Sequence, residues 1–384
     1  MDQSVEGFAR RLALALNRLE SSPARFEVRT AAKAANAKTP VTPTRCSIVR
    51  THGASQSVID VYGLATEEAL VGKIRRSSLP ARLLFVGGVL AIYAPRMVRV
   101  LGQRGKTARE RRQVTYALGW SVLLVLTFFV LLGSLAATFA SGDIPHLPKS
   151  AEGPLLAVGG LSIWKSKLFQ GLADSGLVAA CFLRYVHRPG DRDRALRGDF
   201  VDLLDELADR EVPYKSIDVV AYSFGALTTI NARFPMTDPP LDVVADINNI
   251  VTLGCPFDFV RAYWPRYFER RFGRPSSSGS WINVYSPADV LSSNFNNDEL
   301  RLKPQEGVVL NGATGVSDDT SVECPRNVPY RLDGLDRPVS GWRNLMLEGF
   351  RMHGRYWDKD EPTTETVFSL IARELELGQQ LLPP

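Results

Sequence analysis

The chain contains few cysteines and histidines, four of each among 384 residues. Cys46, Cys181, Cys255 and Cys324 lie far apart and form neither a C-x-x-C pair nor a cysteine and histidine pattern that would bind zinc. We therefore expect four free thiols. The sequence predicts no metal site and no cofactor, and no internal repeat is visible.

The N-terminal segment also lacks the features of a secretory signal. Residues 1–22 instead place Phe8, Leu12, Leu16 and Leu19 on one helical face with charged residues between them. We expect an amphipathic helix that packs on the protein. Apolar residues make up 45% of the chain, enough for a core of ordinary domain size with length left for a membrane element.

Charge is distributed unevenly along the chain. Residues 1–114 hold 20 Lys/Arg against 8 Asp/Glu, a net charge near +12, whereas residues 115–384 hold 26 against 33, a net charge near −7. A basic segment can neutralise the phosphates of a nucleic acid or of lipid head groups. Nucleic-acid binding is disfavoured because Tyr93 is the only aromatic residue in 87–115. The basic residues flank apolar runs, so a lipid bilayer is the expected partner.

Two apolar runs are predicted to cross a membrane. Residues 115–140 contain no charged side chain, and at 1.5 Å per residue they can cover a hydrocarbon core of roughly 30 Å. Residues 79–101 reach spanning length if Arg82, Arg96 and Arg99 extend their charged ends to the interface. The alternative for this segment is a re-entrant helix or a buried core helix. The loop between the runs carries seven basic residues against five on the outer flanks, a margin that leaves the side of the membrane open.

An alternation of helices and strands follows the second apolar run. The predicted elements are a helix at 195–210, strands at 217–221, 250–253 and 281–285, and a helix from Gly225. Apolar strands with helices between them indicate an α/β fold with a doubly wound, mostly parallel sheet. We expect three regions: residues 1–78 with the amphipathic helix and first strands (at 45–50 and 58–62), residues 79–141 as a membrane hairpin with a basic loop, and residues 142–384 as the main α/β region.

Ser223 lies in the run SIDVVAYSFGAL, directly after a predicted strand and before a predicted helix. The frame Ala221-x-Ser223-x-Gly225 is that of a nucleophile elbow, with Ala in place of the first Gly. Small residues two positions before and after the serine allow the sharp turn that lifts its Oγ above the sheet. The same turn aims the amide of Phe224 at a developing negative charge, so Phe224 is a predicted oxyanion-hole donor.

A base and an acid are expected after the serine. Only His353, of the four histidines, lies C-terminal to Ser223, as the order serine, acid, histidine requires. Asp289 follows the predicted strand 281–285, where a carboxylate can orient an imidazole, and is the predicted acid. Asp258, which follows the preceding strand, is the alternative.

Four segments, AYSFG, TLGCP, WINVYSPADVLS and HGRYW, together resemble a lipase-like group of α/β-hydrolases with membrane segments inserted in the fold. They cover roughly residues 217–357. The resemblance implies an α/β-hydrolase fold with an inserted transmembrane hairpin, and a second oxyanion donor in Thr51-His52-Gly53-Ala54, with Ala54 preferred. It also implies that the first strands, within residues 1–78, belong to the hydrolase sheet. If the strand that leads into Thr51-His52-Gly53-Ala54 shares one sheet with the strand before Ser223, the number of spans between them must be even, which favours two. Ala221, Tyr222 and Cys255 depart from the pattern, but none of them replaces a proton-transfer group.

The expected protein is a membrane-anchored serine hydrolase of the lipase or esterase type. In this hypothesis His353 takes the proton of Ser223 as the serine attacks an ester carbonyl, Asp289 orients His353, and water hydrolyses the acyl-enzyme. Lipid-like esters are the expected substrates because the site is tied to a bilayer, where such molecules concentrate. The alternatives are an acyltransferase or thioesterase on the same triad and an inactive hydrolase-fold scaffold that binds partners.

Overall fold

The described part of the chain is a mixed α/β protein with a parallel sheet and two long apolar helices. The computed structural model describes residues 4–19, 25–30, 45–52, 55–64, 66–102, 108–140, 167–187, 191–210, 213–273, 280–295, 306–310, 321–331, 350–357 and 365–377. The predicted α/β architecture and the two predicted apolar helices are therefore confirmed.

The elements are numbered here in chain order. The helices are α1 (Val5–Leu19), α2 (Thr66–Arg75), α3 (Leu79–Gly102), α4 (Ala108–Ala140), α5 (Lys167–His187), α6 (Asp191–Ala208), α7 (Phe224–Arg233), α8 (Asp242–Ala245), α9 (Phe257–Tyr263), α10 (Phe350–His353) and α11 (Val367–Glu374). The strands are β1 (Arg25–Thr30), β2 (Arg45–His52), β3 (Ser55–Tyr62), β4 (Asp218–Tyr222), β5 (Asn249–Leu253), β6 (Ser280–Tyr285), β7 (Val308–Leu310), β8 (Ser321–Glu323) and β9 (Arg326–Pro329). A 3-10 turn (Gly354–Trp357) follows α10 directly.

The central sheet has the strand order β4-β5-β6-β9, and all of its pairings are parallel. One face packs on α1 and α11, through apolar residues such as Val251 and Ile282 of the strands and Phe368 of α11. The opposite face packs on α6 and α7, where Ile250 contributes to the same apolar cluster as Phe200. Helices on both faces explain why these strands are continuously apolar in sequence.

The three N-terminal strands form a separate antiparallel sheet in the order β1-β2-β3. The expected sharing of one sheet by β2 and β4 is not observed among the described residues. β1 and β3 occupy both hydrogen-bonding edges of β2, so β4 cannot pair with it directly, and neither β1 nor β3 pairs with β4 among the described residues. The inference of an even number of spans from a shared sheet therefore loses its basis.

The N-terminal helix packs on the protein as its amphipathic pattern predicts. Leu12 and Leu16 are buried, in one cluster with Phe26 of β1 and Ile48 of β2. Leu19 was expected on the same face, but it is 49% exposed because it is the last residue of α1, where the helix leaves its packing surface.

Two described helical segments, Leu79–Gly102 and Val114–Ala136, are long and apolar enough to cross a membrane. They lie side by side: a Cβ added at Gly87 of α3 would lie 3.4 Å from the Phe128 ring of α4. Both helices nevertheless contribute to a cluster that also contains Phe224 of α7. The division at residues 79 and 141 stays a prediction, and this shared cluster crosses it.

Candidate active site

Ser223 is the junction between β4 and α7. Its backbone has φ 52° and ψ −117°, a conformation that non-glycine residues rarely adopt. The amide of Ser223 donates to the carbonyl of Leu253 on β5 (2.9 Å), and the Ser223 carbonyl accepts from Ala226 in the first turn of α7 (3.1 Å). These bonds hold the strained residue at the carboxyl edge of the parallel sheet, as the sharp-turn prediction requires.

His353 joins the predicted serine to the predicted acid. Its Nε2 lies 2.6 Å from Ser223 Oγ, and its Nδ1 lies 2.8 Å from Asp289 Oδ2. The Tyr222 ring stacks on the imidazole at a centroid distance of 5.2 Å, and the Tyr222 hydroxyl donates to the His353 carbonyl. The ring and hydroxyl of Tyr222 and the carboxylate of Asp289 therefore hold His353 in place. In this orientation its Nε2 can accept the proton of the Ser223 hydroxyl.

The structure brings Asp289 to His353, although they are 64 positions apart in the sequence. Asp289 is completely buried, and its Oδ1 accepts a hydrogen bond from the amide of Leu291 (2.9 Å). The alternative acid, Asp258, is equally buried but accepts the Ser293 hydroxyl on its Oδ2 (2.6 Å). Of the two carboxylates that sequence reasoning left open, Asp289 is the one in contact with the imidazole.

Tyr356 supports Asp289 from the 3-10 turn that follows His353. Its hydroxyl accepts the amide of Ser286 (3.0 Å), and its side chain also hydrogen-bonds to Asp289. Burial raises the pKa of the Tyr356 phenol well above its usual value, and the charge of Asp289 raises it further. A phenol that keeps its proton can donate a hydrogen bond to the Asp289 carboxylate, so Tyr356 helps to hold that side chain beside His353.

Gly254, directly after β5, leaves the space in which these side chains meet. Its φ of +57° belongs to the left-handed region. A Cβ at this position would lie 3.0 Å from the Tyr356 ring, and 3.2 Å from both Asp289 Oδ2 and His353 Cε1. The role of Gly254 was missed from the sequence, although a glycine directly after a buried strand is a signal of close approach by other groups.

A tyrosine from α4 also reaches the acid and was missed from the sequence. The Tyr116 hydroxyl donates to the backbone carbonyl of Asp289 (3.0 Å), and both residues are buried. One residue along, the Ala117 carbonyl accepts the hydroxyl of Tyr263 on α9 (2.7 Å). No local pattern could have revealed these contacts, because Tyr116 looks like one more aromatic residue at the start of an apolar run.

The predicted oxyanion donors are placed only in part. Phe224 is the first residue of α7, and amides in the first turn of a helix have no acceptor within that helix. The Phe224 ring packs against those of Tyr185 and Phe182, at centroid distances of 4.8 and 5.5 Å. Ala54, the predicted second donor, lies outside the described residues.

A cavity of about 960 Å³ opens beside Ser223 along β4. Its lining includes Phe224 and His353, together with Trp120 and Leu123 of α4. The volume is within the range of roughly 300–1,000 Å³ usual for small-molecule sites. Ser223 is itself among the lining residues, so a ligand in this cavity would lie beside it.

A polar cluster around Asp60 lines another part of the same cavity. The Asp60 carboxylate accepts hydrogen bonds from Arg45 (2.7 Å), Ser47 (2.5 Å) and Tyr214 (2.5 Å). Burial alone would raise the pKa of Asp60, but these hydrogen bonds outweigh it and hold the pKa below its ordinary value. The cluster ties the antiparallel sheet to the segment before β4, since Asp60 belongs to β3 and Tyr214 precedes Asp218.

The four cysteines lie within the described residues and form no disulfide bond, so the predicted thiols are confirmed. Burial raises the pKa of the Cys255 thiol. Within the described ranges, no group of three or more His, Cys, Asp and Glu side chains could hold a metal ion.

Comparison with known proteins adds no relative to this description. No family model matches the chain, and no curated protein and no solved structure matches it. The chemistry of the site therefore has to be argued from the contacts among Ser223, His353 and Asp289.

Proposed function

We propose that the chain is a membrane-anchored serine hydrolase that cleaves carboxylic esters on an α/β-hydrolase fold. The observation that carries the proposal is the unbroken hydrogen-bond chain from Ser223 through His353 to the buried Asp289. The strained backbone of Ser223 between a parallel strand and a helix supports the same reading, because a nucleophile elbow needs that geometry.

In the proposed reaction the Ser223 hydroxyl attacks the ester carbonyl while His353 Nε2 takes its proton. Asp289 stabilises the resulting imidazolium through Nδ1 and stays ionised. The amide of Phe224 and the positive end of α7 stabilise the oxyanion of the tetrahedral intermediate. His353 then gives the proton to the leaving alcohol as the ester C–O bond breaks and the acyl-enzyme forms. A water molecule attacks the acyl-enzyme while His353 takes its proton. Collapse of the second tetrahedral intermediate returns that proton to Ser223 Oγ and releases the carboxylic acid.

The proposed substrates are lipid-like esters, and the proposed location is a membrane with α3 and α4 as two spans. Support comes from the two helices that are long and apolar enough to cross a bilayer, and from large apolar side chains on their outer surfaces. Transfer of the acyl group to an alcohol or thiol, or thioester cleavage, would use the same triad. An inactive scaffold is the alternative from another class.

The decisive experiment is labelling of the purified full-length protein in detergent with a fluorophosphonate probe, which reacts covalently with activated serines. We expect wild type to be labelled and Ser223→Ala to be unlabelled. Ser369→Ala is the matched control, because it removes a half-buried hydroxyl on α11 that hydrogen-bonds only to Thr366 among the described residues, and it should be labelled like wild type. A folded wild type that does not react would favour the scaffold, and a labelled Ser223→Ala would place the nucleophile elsewhere.

A further inference from the structure

The inner face of α4 forms part of the cavity beside Ser223. Trp120 and Leu123 of α4, Val178 of α5 and Leu70 of α2 line one side of it. All four side chains are apolar or aromatic, and they pack in the same apolar cluster as Phe224, the residue that follows Ser223. These four side chains offer contacts for a hydrocarbon chain.

The exposed part of α4 begins within one helical turn of the same side of the cavity. Leu123 is buried, whereas Leu126 is 41% exposed and Phe129 is 61% exposed. At 1.5 Å per residue α4 is roughly 50 Å long, which exceeds a hydrocarbon core of about 30 Å. One helix can therefore pack against the α/β domain near Tyr116 and still present its later turns to lipid.

We propose that this side of the cavity holds the acyl chain of the substrate, and that the chain enters from the bilayer along α4 next to Leu123. The inference rests on the proposed ester hydrolysis and narrows its substrate class to membrane-resident esters with long acyl chains. The carbonyl carbon lies at Ser223 Oγ, and the hydrocarbon tail runs past Phe224 toward Leu123 and Val178.

Long chains are favoured over short ones because each buried methylene group adds apolar contact. Burial of one methylene strengthens binding by about fourfold at the usual transfer free energy. In this site kcat/KM should therefore rise with chain length until the space between Phe224 and α4 is filled. A larger side chain in that space should shorten the preferred acyl chain.

The test uses the full-length protein reconstituted in phosphatidylcholine vesicles, with p-nitrophenyl esters of four, eight and sixteen carbons. Leu123→Phe should lower the ratio of kcat/KM for the sixteen-carbon ester to that for the four-carbon ester by about tenfold or more. Leu132→Phe is the matched control, since it makes the same change at a 43% exposed position on α4, and its ratio should stay within about twofold of wild type. Val178→Phe should have the same effect as Leu123→Phe. It should destabilise the protein less, because Val178 is only half-buried.

The source of the ester is tested with the same vesicles. Sixteen-carbon ester placed in the vesicles that carry the protein should be cleaved at early times faster than ester placed in separate, protein-free vesicles. Equal initial rates would overturn entry from the bilayer, and unchanged chain-length ratios in both Phe variants would overturn the acyl site. Either failure is distinct from failure of the proposed function, because fluorophosphonate labelling of Ser223 would still occur.

Discussion

Replacement of Gly254 by alanine tests whether the contacts around His353 are as close as described. The change adds one methyl group at the point where Tyr356, Asp289 and His353 meet. Its Cβ would lie 3.0 Å from the Tyr356 ring and 3.2 Å from Asp289 Oδ2 and His353 Cε1, all shorter than ordinary van der Waals contact. Both the stability of the fold and the reactivity of Ser223 should therefore fall.

The expected loss of stability has two sources. A φ of +57° costs a non-glycine residue about 1–2 kcal/mol. Insertion of a methyl group into a packed region costs about 1–3 kcal/mol more, because Tyr356 is fully buried and cannot move away freely. Together these predict destabilisation by about 2–5 kcal/mol, a large share of the roughly 5–15 kcal/mol typical of a folded protein.

Gly354→Ala is the matched control, because Gly354 directly follows His353 and a Cβ there would meet no atom within 4 Å. The free energy of unfolding in detergent and the second-order rate of fluorophosphonate labelling would be measured for both variants. Gly254→Ala should lower both quantities, and Gly354→Ala should lie close to wild type. Equal effects of the two substitutions would refute the argument that Gly254 makes room for the three side chains.

Two further predictions concern buried carboxylates. Asp289→Asn should slow fluorophosphonate labelling by on the order of 10⁴-fold, because an amide cannot stabilise the imidazolium as a carboxylate does. Asp258→Asn should leave the labelling rate within about tenfold of wild type. The reverse ranking of the two variants would make Asp258 the acid. Asp60→Asn should destabilise the fold at pH 7 by about 1–3 kcal/mol, because Arg45 loses its charged partner. The folded-state pKa of Asp60 is depressed, so its stabilisation is complete above the ordinary range near 4 and is lost as the pH falls below it. Urea unfolding at pH 7 and pH 3 would check this, and a gap between wild type and variant that is no smaller at pH 3 than at pH 7 would contradict it.

The elements that local pattern dictates agree between sequence and structure. The apolar run at 217–221 and the small residues around Ser223 predicted a strand, a sharp turn and a helix, which are β4, the strained φ and α7. The apolar runs at 79–101 and 115–140 correspond to α3 and the later part of α4. These features depend on residues close to one another in the sequence, so the spacing of apolar and small residues predicts them.

Local sequence patterns do not predict features that depend on residues distant in the sequence. The shared sheet expected for β2 and β4 is not observed in the described part of the chain: β2 pairs with β1 and β3, and none of these three strands pairs with the β4-β5-β6-β9 sheet. The contact of Tyr116 with Asp289 joins residues 173 positions apart, and it links α4, within the predicted membrane hairpin, to the candidate acid.

The residue types and their linear order are enough to predict Ser223 and His353 and to narrow the acid to Asp289, the preferred candidate, or Asp258. Folding alone selected between Asp289 and Asp258. Both carboxylates follow the carboxyl ends of neighbouring parallel strands, and both are completely buried. Parallel pairing brings all such strand ends to one edge, so the sequence offers two equivalent acids. The choice rests on a few ångströms of packing: Asp258 faces Ser293, and Asp289 faces the imidazole that α10 places beside it.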